Sequence, residues 1–152
     1  MATTKKIIIT GGAGFLGLNL ASKLANKNEY EIIIWDNLSR GKHDKSFKSL
    51  LKRKNVKFFK KDLTKKIINN KLKNISYIFH LAGTVGVSNV NKDPYKSFLN
   101  NFLTLKHIID FNKNLKKEAK LIVFSTSEVY SNLIKKKIVK FPIKENNDII
   151  IE

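Results

Sequence analysis

The chain has no cysteine, two prolines, one tryptophan and one methionine, and only two of its 30 basic residues, Arg40 and Arg53, are arginine. Without cysteine, disulfides and thiolate metal sites are excluded, and order has to come from a packed core, which 152 residues are enough to build. No apolar run approaches the eighteen or so residues of a membrane helix. Met-Ala-Thr-Thr-Lys-Lys leads straight into the first apolar segment with no secretory leader, so a cytoplasmic protein is expected. Neither a repeat nor a low-complexity linker interrupts the chain.

Acidic residues are also scarce, 12 against 30 basic ones, for a formal charge of +18. Such a charge invites a nucleic-acid partner, because clustered cations bind phosphate backbones by releasing counterions. The shortage of arginine argues against that partner, since bidentate phosphate recognition favours the guanidinium. The lysines are spread along the whole chain in short runs such as Lys60-Lys61, Lys65-Lys66 and Lys135-Lys136-Lys137, the pattern of a solvated surface.

What the chain does contain is alternation. Apolar runs near 5–10, 31–36, 56–60, 76–81 and 119–125 read as strands, and amphipathic stretches near 14–27, 43–54, 64–72 and 94–114 read as helices. In the first helix Leu16, Leu20 and Leu24 fall on one face beside Ala21 and Ala25, a face suited to a sheet. Asp93-Pro94 starts the last helix as cap and first-turn proline. This pattern predicts an α/β fold of the Rossmann type, a doubly wound parallel sheet in the order 3-2-1-4-5, spanning residues 1–130. Residues 131–152 form an irregular tail, with a possible short strand at Lys135–Lys140 and a turn at Phe141-Pro142. The fifth strand is then an apolar edge, which calls for a partner.

The most specific segment is Ile7-Ile-Ile-Thr-Gly-Gly-Ala-Gly-Phe-Leu-Gly17. A buried strand breaks into three glycines at three-residue spacing and becomes a helix. Gly11 permits the sharp turn, Gly14 lets backbone N–H groups approach a diphosphate, and Gly17 lets the helix lie close to the strand. The helix start adds about half a positive elementary charge. The next strand ends in Asp36, about twenty residues on, where a carboxylate can accept both hydroxyls of a ribose. Asp36 as a plain cap is the alternative.

Five segments together resemble the extended short-chain dehydrogenase/reductase superfamily, in particular its NAD-dependent sugar-nucleotide epimerases and dehydratases. They are Thr10–Gly17, Asp36-Asn-Leu-Ser-Arg-Gly41, Lys61-Asp-Leu63, His80-Leu-Ala-Gly83 and Ser125-Thr-Ser-Glu-Val-Tyr130. The resemblance implies NAD as cofactor, a nucleotide sugar as substrate, and isomerase or lyase chemistry. It places Gly11, Gly14, Phe15, Leu16 and Gly17 at the glycine turn, and Asp36, Asn37, Ser39 and Arg40 at the adenosine ribose. It places Asp62 and Leu63 at the adenine, Leu81, Ala82 and Gly83 below the nicotinamide ribose, Ser125 among the cofactor-binding residues, and Thr126 where its hydroxyl would bond the reacting sugar oxygen. An acid at position 36 would repel a 2′-phosphate, which favours NAD over NADP, while Arg40 nearby works the other way. Asp62 can alternatively cap the helix expected after the turn at Thr64, and His80 reads as a packed strand-end histidine because no metal-ligand spacing surrounds it. Asn101 resembles a family asparagine near the active site, although Thr104-Leu105 replaces the Gly-Thr that commonly follows. Alanine is commoner than Gly83, and glycine commoner than Ser131.

The family's acid/base is a tyrosine with a lysine four residues on. The tyrosines here, at 30, 77, 95 and 130, are followed at that spacing by Ile34, Leu81, Leu99 and Ile134. The pair is absent, and family members run to about twice this length. The expectation is therefore the cofactor half of such an enzyme, inactive alone and without a metal site. The alternative is a non-catalytic NAD-binding or assembly module, its fifth strand and fourth helix covered by a second polypeptide or a second copy.

Overall fold

The computed structural model describes residues 4–40, 44–68, 72–138 and 141–144. Its strands are β1 Lys5–Thr10, β2 Tyr30–Asp36, β3 Val56–Lys60, β4 Ile75–His80 and β5 Lys120–Val123. They form one sheet in the order β3-β2-β1-β4-β5, the predicted order, and every pairing is parallel. All five carboxyl ends therefore open on the same edge. Thr10, the last residue of β1, sits in register between Trp35 and His80.

The central strands are runs of isoleucine, whose branched side chains suit a pleated surface buried on both faces. Alternation sends Ile7, Ile9, Ile32 and Ile34 to the face covered by α1 (Phe15–Leu24) and α2 (Lys45–Leu51), where Phe47 completes the cluster. Ile8, Ile33, Trp35 and Ile78 face the other way, toward Ile108 and Phe111 of α4 (Pro94–Lys113). Trp35 meets Phe111 edge to face with ring centroids 5.0 Å apart. Asp44 caps α2 by accepting from the Phe47 N–H, and Asp93 caps α4 by accepting from the Lys96 N–H with Pro94 next in line.

Several local expectations are corrected. The first helix meets the sheet through buried Gly17 and Ala21, with Ala25 at its end and Leu20 and Leu24 partly buried against the same cluster, whereas Leu16 is exposed. Small residues at that spacing let the helix axis approach more closely than leucines would allow.

No helix forms at 64–68 or at residue 72, and 69–71 lie outside the described residues. There the Asp62 carboxylate accepts from both the N–H and the hydroxyl of Thr64, a local turn that competes with helix, and the β-branched Ile67 and Ile68 give helix little support. A short helix α3 (Val87–Lys92), not foreseen, follows Gly86. The possible strand at Lys135–Lys140 is absent over 135–138, where Lys135 ends helix α5 (Ser131–Lys135) anchored by buried Leu133; residues 139 and 140 lie outside the described residues. Phe141-Pro142 is a bend, and β5 stops at Val123, two residues short of expectation. Among the described residues no helix is long and apolar enough to cross a membrane.

Candidate functional site

Open α/β sheets bind ligands at the carboxyl edge where strand order reverses, which here is the gap between β1 and β4. Gly11 begins the turn at that point with φ +66°, in the left-handed region. A Cβ on Gly11 would stand 2.8 Å from the Ala82 nitrogen, so the turn is pressed against the end of β4. At Gly17 a Cβ would run into the Gly11 carbonyl and come within 2.6 Å of the Gly12 Cα, so the helix start is locked onto the turn. Gly14 differs: a Cβ there would meet only the Gly11 oxygen, at 3.3 Å. The space before α1 is open, and Phe15 and Leu16 beside it are exposed.

Asp36 reaches this turn directly. One carboxylate oxygen accepts from the Ala13 N–H at 3.0 Å and the other from the Leu38 N–H at 2.7 Å. The acid thus ties the end of β2 to the glycine turn, and an ionised carboxylate retains further acceptor sites. Beyond it Asn37 accepts from the Ser39 N–H, and Leu38 adopts φ +62° with its side chain packed on the α1 core. Arg40 then donates from Nη1 to the Val85 carbonyl at 2.9 Å.

At the end of β4 the organising group is Thr10, which sequence reasoning treated only as part of a motif. Its fully buried hydroxyl accepts from the N–H groups of Leu81 and Ala82, both at 3.2 Å. Its own proton is therefore directed to His80 Nδ1 at 2.8 Å, which leaves the histidine proton on Nε2. Burial pushes the His80 imidazole down to about 4. A neutral, packed strand-end histidine is what the sequence suggested.

Gly83 precedes a second clamp: Asn101 of α4 accepts from the Thr84 N–H at 2.6 Å and donates to the Thr84 carbonyl at 3.1 Å. A Cβ at position 83 would lie 3.2 Å from the Asn101 Oδ1. Asn101 thus holds the loop after β4.

The remaining positions are placed along the same edge. Asp62 is exposed, and hydrogen bonds from the Thr64 hydroxyl and N–H hold its carboxyl below the usual range against a smaller opposing effect of burial. Leu63 is buried in the α4-side core, with its carbonyl bound by His107 Nδ1 at 2.9 Å. Lys61 lies over the Trp35 ring, 4.5 Å from its centroid, and its burial lowers the ammonium pKa. Ser125 and Thr126 follow β5, both exposed. The four tyrosines fall at the start of β2, in β4, in the first turn of α4 and at the end of a 310 turn (Ser127–Tyr130). Among the described residues no group of three metal-ligating side chains occurs.

Glycine turn, strand-end acid and reversal point coincide, and they define a nucleotide-binding doubly wound domain. The sequence profile of the NAD dependent epimerase/dehydratase family matches residues 7–148, and the chain belongs to that family. It is 36% identical over 132 residues to a dTDP-D-glucose 4,6-dehydratase of Dictyostelium discoideum, an alignment covering 84% of this chain and 30% of that protein. A UDP-N-acetylglucosamine 4-epimerase from Methanobrevibacter ruminantium M1, solved with UDP-N-acetylmuramic acid, superposes with a TM-score of 0.74 at 29% identity over 97% of this chain and 44% of that one. A UDP-glucose 4-epimerase from Bifidobacterium longum, solved with NAD+ and UDP, shares the fold at 23% identity with a TM-score of 0.79, covering 95% of this chain and 42% of that one. The chain spans about a third of the length of the curated relatives it matches.

Proposed function

We propose that this chain binds NAD at the carboxyl edge of its sheet and forms the cofactor half of a nucleotide-sugar epimerase or dehydratase, with residues 1–130 as the binding domain and 131–152 as the start of the remaining fold. The observation that carries the reading is the Asp36 carboxylate drawn to the glycine turn by the Ala13 N–H. It brings a ribose acceptor and a diphosphate cradle into one site. Three further features fit NAD: the open face at Gly14, the absence of an acid in the first turn of α1, and the NAD dependence of the family.

When bound, NAD supplies hydride chemistry. The chain's own groups then bind and orient: Gly11, Gly14, Phe15, Leu16 and Gly17 receive the diphosphate, and Asp36 with Asn37 and Ser39 holds the adenosine ribose. Asp62 and Leu63 line the adenine end, Leu81, Ala82 and Gly83 support the nicotinamide ribose with Ser125 also at the cofactor, and Thr126 faces the sugar. Without a tyrosine–lysine pair there is no group to take the proton from a sugar hydroxyl, so no turnover is expected of these 152 residues, in keeping with a cytoplasmic half-enzyme.

The test is calorimetric titration with NAD. Replacing Asp36→Ala removes a charged acceptor, which is expected to weaken binding by about 1.5–3 kcal/mol, or about tenfold or more. Unchanged affinity removes Asp36 from the site, and steady conversion of a nucleotide sugar by the chain alone overturns the half-enzyme reading.

A second reading, an NAD-binding module completed by another polypeptide, is favoured by the β5 side. Val123 and Phe124 are 44% and 49% exposed there, and Phe98 and Phe102 of α4 stack on each other in solvent, 6.3 Å between centroids.

A further inference from the structure

The glycine turn offers a diphosphate N–H groups but no cation of its own: the one basic residue of α1, Lys23, lies in the helix's last turn, far from the open face at Gly14. The helix start and its N–H groups already attract an anion, and a cation from another loop would add to them. Arg40 belongs to the loop after β2, and its guanidinium binds the Val85 carbonyl in the loop after β4. In the sheet, β2 and β4 flank β1 on opposite sides. The hydrogen bond therefore joins loops from the two sides of β1, the strand whose turn begins at Gly11.

Both ends of this bridge are held in place. On the β2 side, Asp36 accepts from the Leu38 N–H, Asn37 accepts from the Ser39 N–H, and Leu38 takes its left-handed conformation with its side chain in the core. On the β4 side, Asn89 donates to the Val85 carbonyl at 3.1 Å, and Asn101 grips Thr84 at both its N–H and its carbonyl.

We infer that Arg40 is the diphosphate clamp of the cofactor site, spanning the glycine turn with its remaining N–H groups available to the phosphate oxygens. The inference rests on the NAD reading above. It also assigns a direction to the charge. The guanidinium points toward the loop after β4, away from the β2–β3 side where Asp36 faces the adenosine ribose, so Arg40 neutralises the diphosphate and does not select a 2′-phosphate.

The 152-residue chain, Arg40→Gln and Arg40→Lys are titrated calorimetrically with NAD, NADP, ADP-ribose and adenosine. Loss of a charge-assisted contact is expected to weaken NAD and ADP-ribose about tenfold in Arg40→Gln, to leave adenosine within about twofold, and to place Arg40→Lys in between. NAD binding to Arg40→Gln is also expected to depend less on salt, and the ratio of NAD to NADP affinity to stay the same. Equal NAD affinity in the parent chain and Arg40→Gln overturns the clamp while the cofactor reading stands. A loss confined to NADP reassigns Arg40 to the 2′-phosphate, and an equal loss for adenosine reduces it to a structural role; either overturns the inference. A parent chain that binds none of the four overturns both the clamp and the NAD reading.

Discussion

The two halves of the sheet are built from similar residues yet end in different states. On the β1–β2 side, isoleucines on both strands are fully buried between helices and neighbouring strands. On the β4–β5 side, equally apolar residues remain in solvent: Val123 and Phe124 at the edge, and Tyr95, Phe98 and Phe102 on the outer face of α4. Composition does not separate the halves. Position does, because β1 and β2 are each flanked by two strands whereas β5, among the described residues, is paired only with β4. The half that carries the glycine turn and Asp36 has its central isoleucines covered within this chain, and the β5 side leaves apolar surface uncovered.

The sharpest way to break the covered half is at Gly17, where any side chain drives into the backbone of the turn. Gly17→Ala is expected to destabilise by about 3 kcal/mol in urea unfolding, because backbone cannot move aside as a flexible side chain would. A loss below about 1 kcal/mol would show that α1 can slide outward and that the close approach is not required.

Acidification probes the junction between the halves. Burial holds His80 at about 4 in the fold against 6.5 for a free imidazole, so the unfolded chain takes up the proton first. Its contribution is unaffected above about pH 6.5, stability falls as pH drops toward about 4, and the total loss is about 3 kcal/mol. His80→Asn should remove this slope when urea midpoints at about pH 7 and about pH 4.5 are compared. The same slope in both chains excludes His80 as its source.

The next effect belongs to the uncovered half. Asn112 of α4 donates to the Ala119 carbonyl and accepts from the Ala119 N–H in a buried pocket just before β5. Asn112→Leu strands both backbone groups and is expected to cost about 2 kcal/mol, with hydrogen exchange at β5 amides accelerating more than at β1 amides. Uniform acceleration across the sheet would mean that the halves unfold together.

The smallest effect is the most telling about the α4 face. Replacing both Phe98→Ser and Phe102→Ser should change stability by no more than about 0.5 kcal/mol, since neither ring is buried within this chain. A loss above about 2 kcal/mol, or a concentration-dependent melting temperature in the parent chain only, would show that another copy covers the face.

The parts legible in the sequence are those fixed by local pattern. Apolar runs placed four of the five strands within a residue of their ends, alternation with amphipathic stretches led to the strand order, and glycine spacing located the turn. Asp36 was legible because the acid that ends the second strand of such a unit comes about twenty residues after the glycines. The failures have local causes of a different sort. Asp62 and Thr64 spend their hydrogen bonds on a turn where an amphipathic stretch suggested helix, and Leu16 lost its place on the sheet to Gly17 and Ala21 because close approach outranks side-chain size. Thr10 with His80, Asn101 with Thr84, and Arg40 with Val85 pair residues 70, 17 and 45 positions apart, and no periodicity carries such separations.

The sequence by itself determined the doubly wound fold, the glycine turn, the acid at the end of β2 and the lack of a tyrosine–lysine pair. Each is a matter of residue type at a short, fixed spacing, and backbone sterics and side-chain alternation act over those distances. Only the tertiary structure decided that a buried threonine hydroxyl sets the proton on His80, that Arg40 bridges the loops on either side of β1, and that the face of α4 carrying Phe98 and Phe102 stays in water. Those outcomes depend on which strands become neighbours, and neighbours in a parallel sheet are brought together by crossovers that join residues distant along the chain.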